Sequence, residues 1–100
     1  MQDPLSYLEK NHTLILADLE KFVMARSPST DKSLVDQCGR VLSEIFLERL
    51  GVKAEIIPQQ HAGDHLRFSV GTGEKQLLIL GHHDTVHDSE HFVYRVEDNK

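Results

Sequence analysis

The stretch GHHDTV, residues 81–86, places His82 and Asp84 two positions apart directly after the apolar run of QLLIL at 76–80. Side chains alternate between faces in extended backbone, so His82 and Asp84 share one side while His83 and Thr85 take the other. An imidazole is a good zinc ligand. A carboxylate two residues on can accept its second ring N–H or orient a neighbouring group, which fixes the tautomer and raises the basicity of the ligand. A histidine at the end of a central strand, in the crevice where an α/β sheet opens, is well placed for that work. The His-x-Asp triplet alone is a weak motif; its weight here comes from the apolar strand, the glycine and the Thr-Val around it.

Other residues of reactive type have plainer explanations. His83, His87 and His91 would form a second metal-binding stripe only on a helix, and Thr85 and Val86 are poor helix formers just after a strand. His87 and His91 read as solvated loop residues. His61, Asp64 and His65 bracket Gly63 in a polar loop and read as exposed turn residues. Gly71 and Gly73 in GTGEK lack a third glycine and a following helix, so they make a hairpin turn and not a phosphate loop. Cys38 lies on an apolar helical stripe, where a buried thiol is the ordinary expectation. Ser27 and Ser29 flank Pro28 with no base nearby in sequence, and read as residues of a helix boundary. His12, near an apolar stripe of the first helix, reads as a partly buried or surface histidine.

The elements that must position His82 and Asp84 follow from the periodicity. Leu5, Leu8, Ile15, Leu16, Leu19, Phe22 and Val23 recur at helical intervals behind Asp3 as N-cap and Pro4 in the first turn. Asn11-His12 offers an interruption, and Pro28 stops the helix. A second helix, capped by Ser33, Thr30 or Asp31, carries Leu34, Val35, Cys38, Val41, Leu42, Ile45 and Phe46 on one stripe, and Gly51 ends it. The period then changes. Val52, Ala54 and Ile56 alternate up to Pro58, and Leu66, Phe68 and Val70 share the face of a second strand. QLLIL has no polar side, so a third strand buried on both faces is expected, with FVYRV a short fourth. The expected class is α/β, two helices and then about four strands. Two helices shield only one face of such a sheet. Either a second copy covers the other face, or residues 1–100 are the amino-terminal part of a longer catalytic domain.

Composition narrows the function classes. Hydrophobic residues make up 39% of the 100 and charged residues 27%, an ordinary globular balance that argues against disorder. The formal charge of −5, with both signs intermixed, supplies no footprint for nucleic acid or an anionic membrane surface. No leader-like start or apolar run of membrane-spanning length is present, and the single cysteine cannot form an internal disulfide. A soluble, cytoplasmic protein is expected.

LLILGHHDTV resembles the metal-ligand strand of the zinc-dependent family that contains glutamate carboxypeptidase, acetylornithine deacetylase and succinyl-diaminopimelate desuccinylase. Two opening helices, a loop with proline and serine (SPST) and several strands before the first ligand are similar to that family's order, and FVYRVEDNK resembles the segment leading to its next motif, a glycine-rich loop with an aspartate. The resemblance implies a three-layer α/β/α zinc-exopeptidase domain, begun but not completed in this chain, with the lid or dimerisation domain absent. It implies His82 as a ligand of one zinc and Asp84 as the carboxylate counted with the catalytic site; His83 receives no role. It also implies two zinc ions, with cobalt or manganese as substitutes, and a small peptide or N-acyl amino acid as substrate. Such hydrolysis uses the metals to acidify water and polarise the amide carbonyl, and a glutamate to shuttle the proton. The bridging aspartate, that glutamate and the remaining ligands have no counterpart in the 100 residues, so the chain alone is expected to be inactive. The alternative from another class is a free-standing interaction domain that binds a partner or itself through the uncovered apolar sheet. On either reading the bare sheet favours self-association.

Overall fold

A computed structural model describes residues 3–86 and 93–98, and within them the chain is a mixed α/β structure of three helices and a two-stranded antiparallel sheet. The expected first helix is two. Helix α1, Pro4–Lys10, starts at Asp3, whose carboxylate accepts the Ser6 amide at 3.4 Å; Asn11 closes it and the chain resumes as α2, His12–Met24. The polar Asn11-His12 pair is the point of interruption because the Asn11 side-chain amide turns back to donate to the Tyr7 carbonyl at 2.9 Å, competing with the helical ladder. Helix α3, Lys32–Leu50, is capped by Asp31, which accepts from the Leu34 amide at 3.1 Å. Gly51 ends it with φ of 66°, a left-handed turn that a side chain would strain, and its amide returns to the Leu47 carbonyl at 2.9 Å.

Helix α3 organises the rest. Its stripe puts Val35 and Cys38 in the core, with Cys38 only 1% exposed, and Gly39 beside them. A bidentate ion pair from Arg49 Nε and Nη2 to Asp18, at 2.8 and 3.0 Å, joins α3 to α2. On its other side lies a hairpin of β1, Glu55–Ile57, and β2, His65–Arg67, registered Glu55 to Arg67, Ile56 to Leu66 and Ile57 to His65. Phe68, just past β2, stacks on Phe46 of α3 with ring centroids 3.8 Å apart. Both strands are shorter than the alternation in the sequence suggests.

The hairpin loop is fastened to the first turns of α3 by charge. Lys32 Nζ bridges Asp64 Oδ1 at 2.7 Å and Asp36 Oδ2 at 2.9 Å, while the Asp64 amide donates to Asp36 Oδ1 at 2.8 Å and the Gln59 amide to Asp64 Oδ1 at 2.9 Å. Asp64 is therefore an anchor and not the exposed turn residue its polar surroundings suggest; His61 and His65 are exposed as expected. Lys32 and the Gln59 amide lower the Asp64 pKa, the Asp64 amide and Lys32 lower that of Asp36, and both carboxylates raise that of Lys32. A depressed carboxylate stabilises the fold above its unfolded value and loses that contribution as pH falls through the folded one; a raised lysine does the reverse at the alkaline end. The fastening should therefore persist between about pH 4 and about pH 10 and loosen below the lower limit. The protection factors of the Gln59 and Asp64 amides, exchange rates corrected for the intrinsic pH dependence, should fall on acidification, and earlier at high salt, because these groups face solvent.

The third and fourth expected strands are not formed among the described residues. Leu77, Leu78, Ile79 and Leu80 are 87%, 78%, 83% and 84% exposed, so the run expected to be buried on both faces is covered on neither. A strand needs a ladder partner as well as apolar side chains, and no described segment pairs with this one. Of FVYRV, residues 93–96 are described and are not strand; Tyr94 donates its hydroxyl to the Leu16 carbonyl of α2 at 3.3 Å. The Cα radius of gyration, 15.3 Å against roughly 13 Å for a compact chain of this length, agrees with incomplete burial. Among the described residues, no helix is long and apolar enough to cross a membrane.

Candidate functional site

The segment after the apolar run is held by the loop between α2 and α3. Pro28 forms a parallel bridge with Thr85: the Thr85 amide donates to the Ser27 carbonyl at 2.7 Å, and the Ser29 amide donates to the Thr85 carbonyl at 2.9 Å. Thr85 Oγ1 adds a longer contact of 3.3 Å to the Ser27 carbonyl. Ser27 is 4% exposed and Pro28 is buried, so the bridge has a rigid base. Proline suits this position because its missing N–H is not required by the ladder.

On this base His82 and Asp84 come together, as their spacing predicts. His82 lies outward, with its side chain 85% exposed, and its Nδ1 sits 2.9 Å from the Asp84 carbonyl and 3.4 Å from Asp84 Oδ1. Both oxygens are acceptors, an arrangement that favours, in the neutral ring, the proton on Nδ1 and the lone pair on Nε2. Asp84 Oδ2 accepts from the Ser29 hydroxyl at 2.6 Å. That bond holds the Asp84 carboxyl below the usual carboxylate range against the opposing effect of burial, with smaller help from backbone and from His82 and His83.

His83 points inward. Its Nε2 is buried without a hydrogen-bond partner among the described residues, and an added Cβ on Gly39 would meet it at 3.4 Å and Leu66 Cδ1 at 3.3 Å. Gly39 thus makes room for the ring between α3 and β2. The Cys38 sulfur is 3.9 Å from the His83 carbonyl, and burial pushes the thiol pKa up, which is the opposite of nucleophile activation. Cys38 is a core residue, as its stripe position suggests.

The His82 side chain is exposed with Asp84 beside its Nδ1, and no group of three or more His, Cys, Asp or Glu suited to holding a metal occurs among the described residues. A catalytic zinc usually takes three protein ligands. His82 and Asp84 by themselves do not make up such a set. Two hollows, of 50 Å³ between α3 and the hairpin and 350 Å³ between the end of α2 and α3, include neither His82 nor Asp84. His87 and His91 lie outside the described residues.

Sequence reasoning brings His82 and Asp84 together but misses what supports them. Ser29 is 55 positions from Asp84, and a contact of that range leaves no mark on local periodicity. The only signal was the placing of SPST between the helices. No protein-family model, curated protein or solved structure matches the chain.

Proposed function

We propose that the chain is the amino-terminal part of the catalytic domain of a zinc-dependent hydrolase that cleaves an amide bond in peptides or N-acyl amino acids. The observation that carries the reading is the exposed His82 imidazole with Asp84 beside its Nδ1, an arrangement that favours the lone pair on Nε2. The zinc-exopeptidase three-layer fold belongs to the same proposal, for which the resemblance of LLILGHHDTV is the ground. His82 would hold one zinc ion, which supplies a Lewis acid and an acidified water for attack on the amide carbonyl. Asp84 would orient the ligand and raise its basicity. The remaining ligands and the proton-shuttling glutamate would come from chain beyond Lys100.

A second reading, an interaction domain without catalysis, is favoured by one observation, the exposure of all four apolar side chains from Leu77 to Leu80. The two readings part on metal. A zinc titration with an amidase assay on the 100-residue chain should give weak, exchangeable binding, loss of that binding in His82→Ala, and no turnover. Tight stoichiometric zinc with turnover would overturn the fragment reading, and binding that survives His82→Ala would overturn the ligand.

A further inference from the structure

The Asp84 carbonyl and the Thr85 N–H belong to one planar trans peptide and point in opposite directions. Thr85 N–H is aimed at the Ser27 carbonyl, so the Asp84 carbonyl is turned away from the loop, and on that side it meets His82 Nδ1. Ser27 contributes only backbone to this arrangement, which any residue could supply. Ser29 contributes a side chain. Its hydroxyl lies 2.6 Å from Asp84 Oδ2 and 3.0 Å from the Thr85 carbonyl, and the single proton favours the shorter, charge-assisted contact.

We infer that Ser29 is a positioning residue for His82: by holding the Asp84 carboxylate beside Nδ1, the hydroxyl adds to the backbone carbonyl in favouring the Nδ1–H tautomer of the imidazole, with Nε2 presented outward to a divalent cation. The inference rests on the zinc reading for the nature of what Nε2 receives, and stands without it for the state of the ring. Ser29 is exposed, so an added methyl group has room, while removal of the hydroxyl leaves the Ser29 amide bond to Thr85 in place.

The test uses the whole chain as wild type, Ser29→Ala and Ser29→Thr. Histidine ring-nitrogen spectra are recorded at a pH well above the histidine range, and zinc binding is measured by calorimetry. In the wild type, His82 should show a protonated Nδ1 and a bare Nε2. Ser29→Ala should move the ring part of the way toward the tautomer mixture of free imidazole, the Asp84 backbone carbonyl remaining as an acceptor, and weaken zinc binding by up to about tenfold, the lower end for loss of such a supporting bond; Ser29→Thr should restore both. Ser29→Ala with an unchanged His82 tautomer and unchanged zinc affinity overturns the inference. A tautomer change in a chain whose zinc goes elsewhere upholds Ser29 and removes the zinc reading, which keeps the two failures apart. Should Ser29→Ala lose its dispersed amide spectrum, Asp84→Ala removes the carboxylate that the hydroxyl holds while keeping the backbone carbonyl, and an unchanged tautomer there overturns the inference equally.

Discussion

Replacing Gly63 by alanine should lower the stability of the chain by about 1–3 kcal/mol, the range for overpacking a filled core. A Cβ at Gly63 would fall on Val35 Cγ1 and within 2.9 Å of Val35 Cβ. Val35 cannot yield: it is among the most buried side chains, sits on α3, and its branched Cβ restricts χ1 in a helix. The loop must lift instead, and lifting it pulls Asp64 away from Asp36 and Lys32. For a domain of this size the loss corresponds to a fall in Tm of several degrees per kcal/mol. Thermal unfolding checks it, and Gly63→Ala combined with Val35→Ala should cost less than the sum of the two single variants, because the Cγ1 methyl group is then gone. An unchanged Tm in the single variant would show that the loop is not seated on α3 as described.

The second large effect concerns association and not folding. Leu78 and Leu80 share one face of the extended segment and are already solvated, so changing both to glutamate should leave the folded state almost as stable as before. Self-association should vanish. Burying one such side chain is worth about 1.5–3 kcal/mol, so four covered together approach the roughly 8 kcal/mol of a micromolar complex before the entropy of association is subtracted. Light scattering across concentration should show the wild type growing in mass and Leu78→Glu/Leu80→Glu remaining monomeric. A wild type that stays monomeric at high concentration would contradict the expectation, and a doubly substituted chain that melts early would mean that the run does pack on the fold.

How far the sequence discloses its structure depends on the range of the interaction that decides each element. Helix ends are decided within four residues: Asp3, Asp31 and Gly51 cap where their chemistry says they should, and Pro28 follows the end of α2. The core stripe of α3 is legible for the same reason, since Val35 and Cys38 keep the helical period. Strands depend on partners. QLLIL has the composition of a central strand, yet its edges find no ladder among the described residues, and composition alone does not supply one. The site divides along the same line. The spacing predicts that His82 and Asp84 share a side with His83 on the other; that the His83 side is the inward one comes from the fold. The hydroxyl of Ser29 on Asp84, the anchoring of Asp64 by Lys32 and the space that Gly39 leaves for His83 all join residues far apart in the chain, and no local pattern encodes them.

The loop at Ser27–Ser29 pins residues 82–85, and on the proposed reading one imidazole nitrogen is thereby offered to a metal. Ring-nitrogen spectra of the wild-type chain during a zinc titration address it most directly. The account predicts that His82 Nε2 shifts first while His82 Nδ1 keeps its proton on Asp84, with His83 unmoved. A titration in which His83, His87 and His91 shift together and His82 does not would contradict it.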